Sequence, residues 1–174
     1  MKYRWFYTSK GKLVIAGKNS AQNEEIMKKI KKTDVILHTA TPGSPFCIIK
    51  NPTPKELEET AIFCACFSQQ WKKRKKKAEV HIFKGSQVFK EKRMKKGTFG
   101  VLSKVSKKKV LLQLWLKKQK GKLRAVPFPT KVKIIPGKIT KQKAAKNIAE
   151  KFKVKIEEAL QAIPAGGFKI CDQQ

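Results

Sequence analysis

Residues 3–29, YRWFYTSKGKLVIAGKNSAQNEEIMKK, begin with two short runs of aromatic and β-branched residues on either side of a glycine turn. This arrangement is typical of a β-hairpin and predicts strands at 3–8 and 12–16. After Gly17 the apolar residues take a helical spacing, and Ser20 is expected to be the N-cap of the helix. A hairpin that leads directly into a helix places sheet and helix in the same small domain.

The rest of the chain continues this mixture of strands and helices. Apolar runs predict further strands at residues 34–38, 46–50, 79–83, 98–103, 110–116 and 132–135. Capping residues and helical spacing predict helices at residues 54–71, 141–152 and 156–163. The order indicates an α+β fold: a mixed, mainly antiparallel sheet with two packed helices and a small C-terminal helical piece. We expect a domain at 1–125 and a strand and helical extension at 126–174.

The sequence is strongly basic. Its 42 Lys and Arg residues against 12 Asp and Glu give a net charge of +30 at pH 7, and residues 71–125 alone hold 21 of the basic residues. Such a surface repels itself unless a polyanion covers it, which favours nucleic acid as the partner. Only 4 of the basic residues are arginines, so we expect contact with phosphates more than recognition of base edges. A lysine-rich genome or a thermophilic surface is the alternative explanation.

The four cysteines do not suggest a metal site. Cys64 and Cys66 are separated by one residue, whereas zinc knuckles separate a pair by about two to four, and no second pair follows. Apolar neighbours indicate buried thiols in a reducing compartment. The N-terminus lacks the apolar centre of a signal peptide, and no apolar run reaches the roughly 20 residues that cross a bilayer. We therefore expect a cytoplasmic protein with no cofactor, no metal and no membrane contact.

Gly17 and the residues after it are the first candidate site. Glycine at the end of a strand lets the backbone approach an anion, and the free N–H groups of the following helix point toward it. The side chains that would surround a phosphate or a base edge are Lys18, Asn19, Gln22 and Asn23. The alternative is a purely structural motif, in which Gly17 makes a turn and the amides cap the helix.

A basic run forms the second candidate site. It consists of Lys72, Lys73, Arg74, Lys75, Lys76 and Lys77, directly after Trp71. Neighbouring cations repel one another and gain most from a polyanion, so we expect this run to contact RNA, with a solvated loop as the alternative. Trp71 could stack on a base or close the preceding helix onto the sheet, and we expect the second.

Five motifs occur in a fixed order along the first part of the chain. They are WFYTSKGKLVIAGKNSAQNEEIMKK at 5–29, DVILHTATPGSPFCIIKN at 34–51, FSQQW at 67–71, VHIFKGSQVFK at 80–90 and KKGTFGV at 95–101. Together they resemble the NFACT-R domain, the RNA-binding module of the NFACT proteins of ribosome quality control. The resemblance covers about residues 3–104.

The resemblance implies binding of tRNA or rRNA on the large ribosomal subunit, without catalysis. It supports Gly17 to Asn23 as a site and adds a second signature, made of Asp34, His38, Pro42, Gly43 and Ser44. We take His38 and Ser44 as candidate RNA contacts. Family members often have His where this chain has Pro45, which weakens any role for a second imidazole.

Full-length NFACT proteins contain regions for which this chain has no room. These are an N-terminal domain, helix-hairpin-helix elements and a long coiled coil. The resemblance therefore indicates a stand-alone version of the module, with a separate protein as the possible source of the missing domains. We do not expect the peptide elongation of the full-length proteins.

No catalytic residues are expected. Asp34 and His38 lie on one predicted strand, where residues four apart are about 13 Å from each other, so they cannot form a dyad by themselves. His38 is expected to bond a backbone carbonyl or a phosphate, and His81 is expected to be an ordinary strand residue. The alternative functions are an RNA-processing or tRNA-modifying enzyme, or a subunit of one, and a basic protein that compacts DNA.

Overall fold

The computed structural model of the protein describes residues 1–172 and confirms the α+β class. The strands are β1 (Arg4–Tyr7), β2 (Leu13–Ala16), β3 (Val35–Thr39), β4 (Cys47–Ile49), β5 (Lys77–Lys84), β6 (Val88–Phe89), β7 (Gly100–Val101), β8 (Ser106–Leu111), β9 (Leu114–Gln119), β10 (Lys122–Val126), β11 (Val132–Ile139) and β12 (Phe168–Asp172). The helices are α1 (Ser20–Met27), α2 (Pro54–Cys66), α3 (Gln69–Lys72), α4 (Lys141–Phe152) and α5 (Ile156–Ala162).

Within residues 1–172 the strands assemble into three antiparallel sheets. The first sheet has the order β1-β2-β4-β3-β5-β8, the second has the order β10-β9-β11-β12, and the third pairs β6 with β7. The predicted β1-β2 hairpin is present, with Arg4 opposite Ala16 and Tyr7 opposite Leu13. The C-terminal strands thus form a sheet of their own instead of extending the first one.

Helices α1 and α2 cover opposite faces of the first sheet. Ile26 of α1 belongs to a buried cluster with Ile36, whereas Phe63 of α2 belongs to the larger cluster with Leu37. Ile36 and Leu37 are neighbours on β3, and successive strand residues point to opposite faces. The sheet is therefore a central layer with one helix on each side.

The second sheet shares the core that α2 builds. Leu123 and Phe168 belong to the same buried cluster as Phe63. Trp71 is fully buried where these elements meet: its Nε1 donates to the Gly167 carbonyl at 2.9 Å, and its ring centroid lies 5.5 Å from that of Phe168. Trp71 is therefore a packing residue that closes α3 onto the C-terminal strand. The division of the chain at residue 125 stays a prediction.

A glutamine side chain of β9 joins the second sheet to the edge strand β1 of the first sheet. The Tyr7 N–H donates to Gln119 Oε1 at 2.9 Å, and Gln119 Nε2 donates to the Tyr7 carbonyl at 2.7 Å. Because β1 is an edge strand of the first sheet, these two backbone groups have no strand partner on that side. The amide takes the place of that partner.

Two predicted elements are each divided in the structure. The helix expected at 54–71 is interrupted, because Ser68 Oγ donates to the Ala65 carbonyl at 2.6 Å and accepts from the Gln70 N–H at 3.1 Å, ending α2 and capping α3. The strand expected at 110–116 divides into β8 and β9. Its Leu112 N–H donates to the Lys76 carbonyl at 2.9 Å, where the chain passes from the first sheet to the second.

Other boundaries also differ from the sequence predictions. The strand expected at 98–103 is shortened to the two residues of β7, because only the two residues of β6 pair with it. The strand expected at 132–135 continues through Pro136 to Ile139, where a bulge against Phe168 accommodates the proline. Strands β10 and β12 were not predicted, since their short apolar segments are interrupted by charged residues and acquire strand partners only in the folded chain.

Glu56 anchors the start of α2. Its carboxylate accepts from the Thr53 N–H at 2.8 Å and from the Thr8 hydroxyl at 3.1 Å, and Lys12 Nζ lies 3.3 Å away. These contacts, of which the Thr53 bond is the strongest, lower the pKa of Glu56 to about 2. The ionised carboxylate is therefore part of the folded structure.

Glu56→Gln is expected to lower the free energy of unfolding by about 1–3 kcal/mol at neutral pH. The difference from the wild type is expected to shrink as the pH falls from 4.5 toward 2, because a depressed pKa stabilises the folded state only while the carboxylate is ionised. Urea unfolding across this range measures the difference, with the exposed Glu58→Gln on the same helix as control. A difference that is independent of pH would contradict the assignment.

Candidate nucleic-acid interface

A cleft of about 760 Å³ opens beside α1, the loop after β3 and the C-terminal end of α2. It brings together residues that lie far apart in the sequence. The predicted site residues in its lining are Gly17, Lys18, Asn19, Asn23, His38, Ser44 and Lys72. The predicted residues outside its lining are Gln22, Lys73, Arg74, Lys75, Lys76 and Lys77.

Gly17 is required by the packing of Asn23. A Cβ at Gly17 would lie 2.2 Å from Asn23 Oδ1. That oxygen accepts from the Phe46 N–H at 3.3 Å, so the buried Asn23 ties α1 to the segment that enters β4. The glycine therefore allows a helix side chain to reach the sheet at the mouth of the cleft.

Asn19, and not Ser20, is the N-cap of α1. Its side chain accepts from the Gln22 N–H at 2.9 Å, and Gln22 Oε1 accepts in return from the Lys18 N–H at 3.0 Å. Asn and Ser are about equally good caps, which is why the sequence did not distinguish them. Gln22 thus fixes the backbone that presents Lys18 to the cleft.

The loop between β3 and β4 is held in place by its own hydrogen bonds. Ser44 Oγ accepts from the Thr39 N–H at 3.1 Å, and the Gly43 carbonyl accepts from the Gln69 N–H at 2.8 Å. Gly43 has a φ of +85°, and a Cβ there would lie 2.3 Å from the Gln69 side chain. The Pro-Gly-Ser turn is therefore a rigid wall of the cleft, and the buried Ser44 is one of its fixing points.

His38 lies in the cleft as a neutral imidazole. Its Nδ1 is 2.7 Å from the Thr39 carbonyl, and burial, together with the nearby His81, lowers its pKa. Asp34 has a separate role from His38. Its carboxylate accepts from the Lys31 N–H at 2.8 Å and closes the turn before β3. The two residues do not form a dyad, as the strand spacing predicts.

Aromatic rings build one end of the cleft. The His38 and Phe46 ring centroids are 4.6 Å apart, and Phe46 meets Phe99 edge-on at 5.5 Å. Phe83 also lines this end. A row of aromatic faces beside fixed backbone groups is a suitable surface for an unpaired base.

His81 belongs to the cleft, which the sequence did not predict. It lies directly opposite His38 on one side and opposite Lys107 on the other, so the three side chains share one face of the first sheet. His81 Nε2 is 3.0 Å from Glu79 Oε1. The sequence signal that could have identified His81 is its alternation with the buried Val80. This alternation places His81 on the face of the sheet opposite α2.

The same face carries exposed lysines beyond the cleft. Lys107 and Lys109 lie opposite His81 and Glu79, and Lys77 shares their side of the sheet by its spacing on β5. We call Lys77, Lys107 and Lys109 the basic strip. It connects the end of the basic run with the edge of the cleft.

Cations build the other end of the cleft. Lys18, Lys72 and Arg4 line it, and among residues 1–172 no Asp or Glu does. The Arg4 guanidinium lies 4.3 Å from the centre of the Phe67 ring. Arg4 was not among the predicted site residues, because it stands within an apolar strand. The signal that could have identified it is that arginine is rare among the many lysines of this sequence.

The described part of the chain has neither a cluster of metal-binding side chains nor a membrane-spanning helix. No group of three or more His, Cys, Asp or Glu side chains is placed to hold a metal ion among residues 1–172. Burial raises the pKa of the Cys47 and Cys66 thiols. Over the same residues, no helix has the length and apolar character needed to cross a membrane.

A basic α+β domain whose cleft combines aromatic and cationic side chains has the features of an RNA-binding module. Residues 2–103 match the family of the NFACT protein RNA binding domain. The chain belongs to this family, which confirms the resemblance seen in its motifs.

Relatives of the chain include much longer proteins. Ribosome quality control complex subunit NEMF of Homo sapiens is 36% identical over 76 residues, which are 40% of this chain and 7% of that protein. Archaeal Rqc2 homolog aRqcH of Methanocaldococcus jannaschii is 28% identical over an alignment of 193 positions, which covers 97% of this chain and 29% of that protein. The chain therefore spans only a small part of the curated relatives.

One solved structure has a similar fold. It is the C-terminal part of the fibronectin/fibrinogen-binding protein from Streptococcus suis, with a TM-score of 0.58 and 20% sequence identity. The match covers 64% of this chain and 45% of that one. At this identity the likeness concerns the fold alone.

Proposed function

We propose that the protein binds tRNA or rRNA on the large ribosomal subunit, without catalysis, as part of ribosome-associated quality control in the cytoplasm. The observation that carries this proposal is the cleft, whose aromatic end and cationic end adjoin on the family domain. The names of NEMF and aRqcH support the ribosomal setting.

The aromatic end supports contact with an unpaired nucleotide. A base that stacks on an aromatic side chain contributes about 1–3 kcal/mol, and every base has a face that can stack. The His38 and Phe46 rings lie 4.6 Å apart with a tilt of 35° between their planes, beside the fixed backbone of Thr39. RNA loops and ends offer such unstacked bases, whereas a continuous DNA duplex does not.

The cationic end and the basic strip support contact with the RNA backbone. Lys72 ends α3 at the cleft, and the exposed residues 73–77 lead from it to the basic strip. Lysine is suited to phosphates because its charge is compact and its stem is flexible. A strand of RNA could therefore follow the basic run and the basic strip while one nucleotide enters the cleft.

The family match supports binding over catalysis, since the domain is described as an RNA-binding one. The Thr39 carbonyl holds His38 Nδ1, and the Asp34 carboxylate accepts from the Lys31 N–H and so does not orient His38. A general base needs an accepting group within reach of a substrate proton, with a partner that orients it. A mass analysis of tRNA incubated with the protein would reveal a modified or cleaved product if the chain were an enzyme.

The double variant Lys18→Gln Lys72→Gln is expected to weaken binding of labelled bulk tRNA or an rRNA fragment by about tenfold or more, since each charged contact contributes about 1.5 kcal/mol. Fluorescence anisotropy at fixed salt measures this. Lys55→Gln is the matched control, because Lys55 is an exposed cation about 18 Å along α2 from Phe67 at the cleft, by the rise of a helix. An equal loss of affinity per removed charge in the variant and in the control would mean that binding follows total charge and not the cleft.

A further inference from the structure

Two arginines each lie over an aromatic ring, Arg4 in the lining of the cleft and Arg124 outside it. Arg4 lies 4.3 Å from the Phe67 ring centre, and Arg124 lies 4.3 Å from the Trp5 ring centre. Within residues 1–172, the Nε atoms of both are buried and have no hydrogen-bond partner. A guanidinium that lies over an aromatic ring can still donate N–H bonds in its own plane to an oxyanion.

Three lysines converge on these arginines. Burial and the charges of Arg4 and Arg124 lower the pKa of Lys18, and burial with the charges of Arg4 and Lys72 lowers that of Lys141. Burial, with a smaller effect of Arg124, lowers the pKa of Arg4 to about 10. We call Arg4, Lys18, Lys72, Arg124 and Lys141 the cationic cluster.

The cationic cluster is not neutralised by ion pairs. Among residues 1–172, no ion pair includes any of its members. The carboxylate that raises the pKa of Arg124, Glu158, accepts a hydrogen bond from the Leu123 N–H at 2.7 Å instead of pairing with the guanidinium. Arg4, Arg124 and Lys141 are partly buried, and partly buried cations that repel one another destabilise the folded chain unless an anion joins them.

The position of Lys141 adds to this imbalance. It is the first residue of α4, where the helix dipole favours a negative charge, and the first turn of α4 contains no acidic residue. Thr140 caps the helix, because its hydroxyl oxygen accepts from the Lys143 N–H at 3.3 Å. A cation at the N-terminal end of a helix is unfavourable by itself. It becomes favourable when an anion lies beside both the cation and the helix end.

We propose that the cationic cluster binds a backbone phosphate of RNA, with Arg4 and Arg124 as the main ligands and Lys141 as a contribution from α4. The inference rests on the proposed function, since the phosphate belongs to the bound RNA. Arg124 and Lys141 lie outside residues 2–103, the part that matches the family. The C-terminal sheet and α4 therefore complete a site that the family domain begins with Arg4, Lys18 and Lys72.

A phosphate fits this site better than a carboxylate of a protein partner. Guanidinium groups bind phosphate oxygens through two parallel N–H bonds, and the cluster offers two such groups together with three ammonium groups. The His38 and Phe46 rings line the same cleft as Arg4, Lys18 and Lys72. Base and phosphate positions thus occur side by side, as one nucleotide requires.

The test uses the full chain with Arg124→Met Lys141→Met, which keeps the apolar stems and removes two charges. We expect about tenfold to hundredfold weaker binding of labelled tRNA, and a salt dependence whose slope is reduced by about one. Lys55→Met is the matched control and is expected to change the affinity less than about twofold. Arg4→Met is a second variant with the same expected direction.

Unfolding in urea without RNA separates a binding role from a structural one. If the cluster serves an anion, the double variant is at least as stable as the wild type, because a repulsion has been removed. Inorganic phosphate is expected to stabilise the wild type more than chloride at the same ionic strength, and to stabilise the variant no more than chloride does. A variant that is less stable and equally sensitive to phosphate would overturn the inference.

The remaining outcomes distinguish the two proposals. If the wild type binds tRNA and the double variant binds it equally well, the phosphate site is wrong while the proposed function stands. If phosphate stabilises the wild type but RNA affinity is unchanged in the variant, the site serves a small anion and the assignment to RNA fails. A wild type that binds no RNA would remove the proposed function itself.

Discussion

RNA affinity is expected to fall by about 10³–10⁵ when the salt concentration rises from 50 to 200 mM, the range for about six to ten phosphate contacts. The net charge of +30, the exposed residues 72–77 and the basic strip together offer that number of contacts. Each phosphate that a lysine neutralises releases counterions, and added salt opposes this release. Binding that is dominated by stacking or by hydrogen bonds to bases would change far less.

Anisotropy titrations of labelled tRNA over this salt range measure the slope, with circular dichroism to show that the protein stays folded. A duplex DNA of equal charge is the comparison that separates RNA binding from DNA compaction, since a duplex has no unpaired base for the aromatic end of the cleft. Affinity for tRNA that hardly changes with salt would contradict a backbone-binding interface. Equal affinity for the duplex would favour the DNA-compacting alternative.

Trp71→Ala is expected to lower the free energy of unfolding by about 3–5 kcal/mol, the range for removal of a large aromatic side chain from a core. Trp71 is fully buried and contacts Phe168 of β12, and its N–H satisfies the Gly167 carbonyl. The substitution removes the ring that joins α3 to the C-terminal strand. Urea unfolding monitored by far-ultraviolet circular dichroism measures the loss.

Trp71→Phe is the matched control for this prediction. It keeps most of the apolar ring and loses the hydrogen bond to Gly167, so it is expected to cost less, about 1–3 kcal/mol. A base-stacking role for Trp71 predicts the opposite pattern, in which Trp71→Ala lowers RNA affinity and leaves stability unchanged. That result would show that the ring is accessible to RNA in solution.

The order of local patterns predicted the first sheet well. The β1-β2 hairpin follows from its glycine turn, and α2 follows from the Thr-Pro-Lys-Glu start, where Thr53 accepts from the Glu56 N–H. The passage from β8 to β9 could not be predicted, because Leu112 lies within a run, 110–116, that is apolar except for Gln113. Which sheet each half of such a run joins is decided by distant strands, and local spacing does not contain that information.

The candidate site was predicted in part, and for a similar reason. Residues such as Gly17 and His38 belong to motifs that the family resemblance identifies, and the fold brings these motifs to one cleft. Arg124 and Lys141 lie in no motif, and their relation to Arg4 exists only after the second sheet has packed against β1. A cluster assembled from three distant segments is a property of the tertiary structure alone.

The Gln119 bridge has a consequence for the behaviour of the protein at high concentration. An exposed edge strand can recruit a strand from another molecule and so start a fibre. At Tyr7 both backbone groups are already occupied by the amide. The contact that holds the two sheets of one molecule together therefore also protects the molecule from polymerising through that edge.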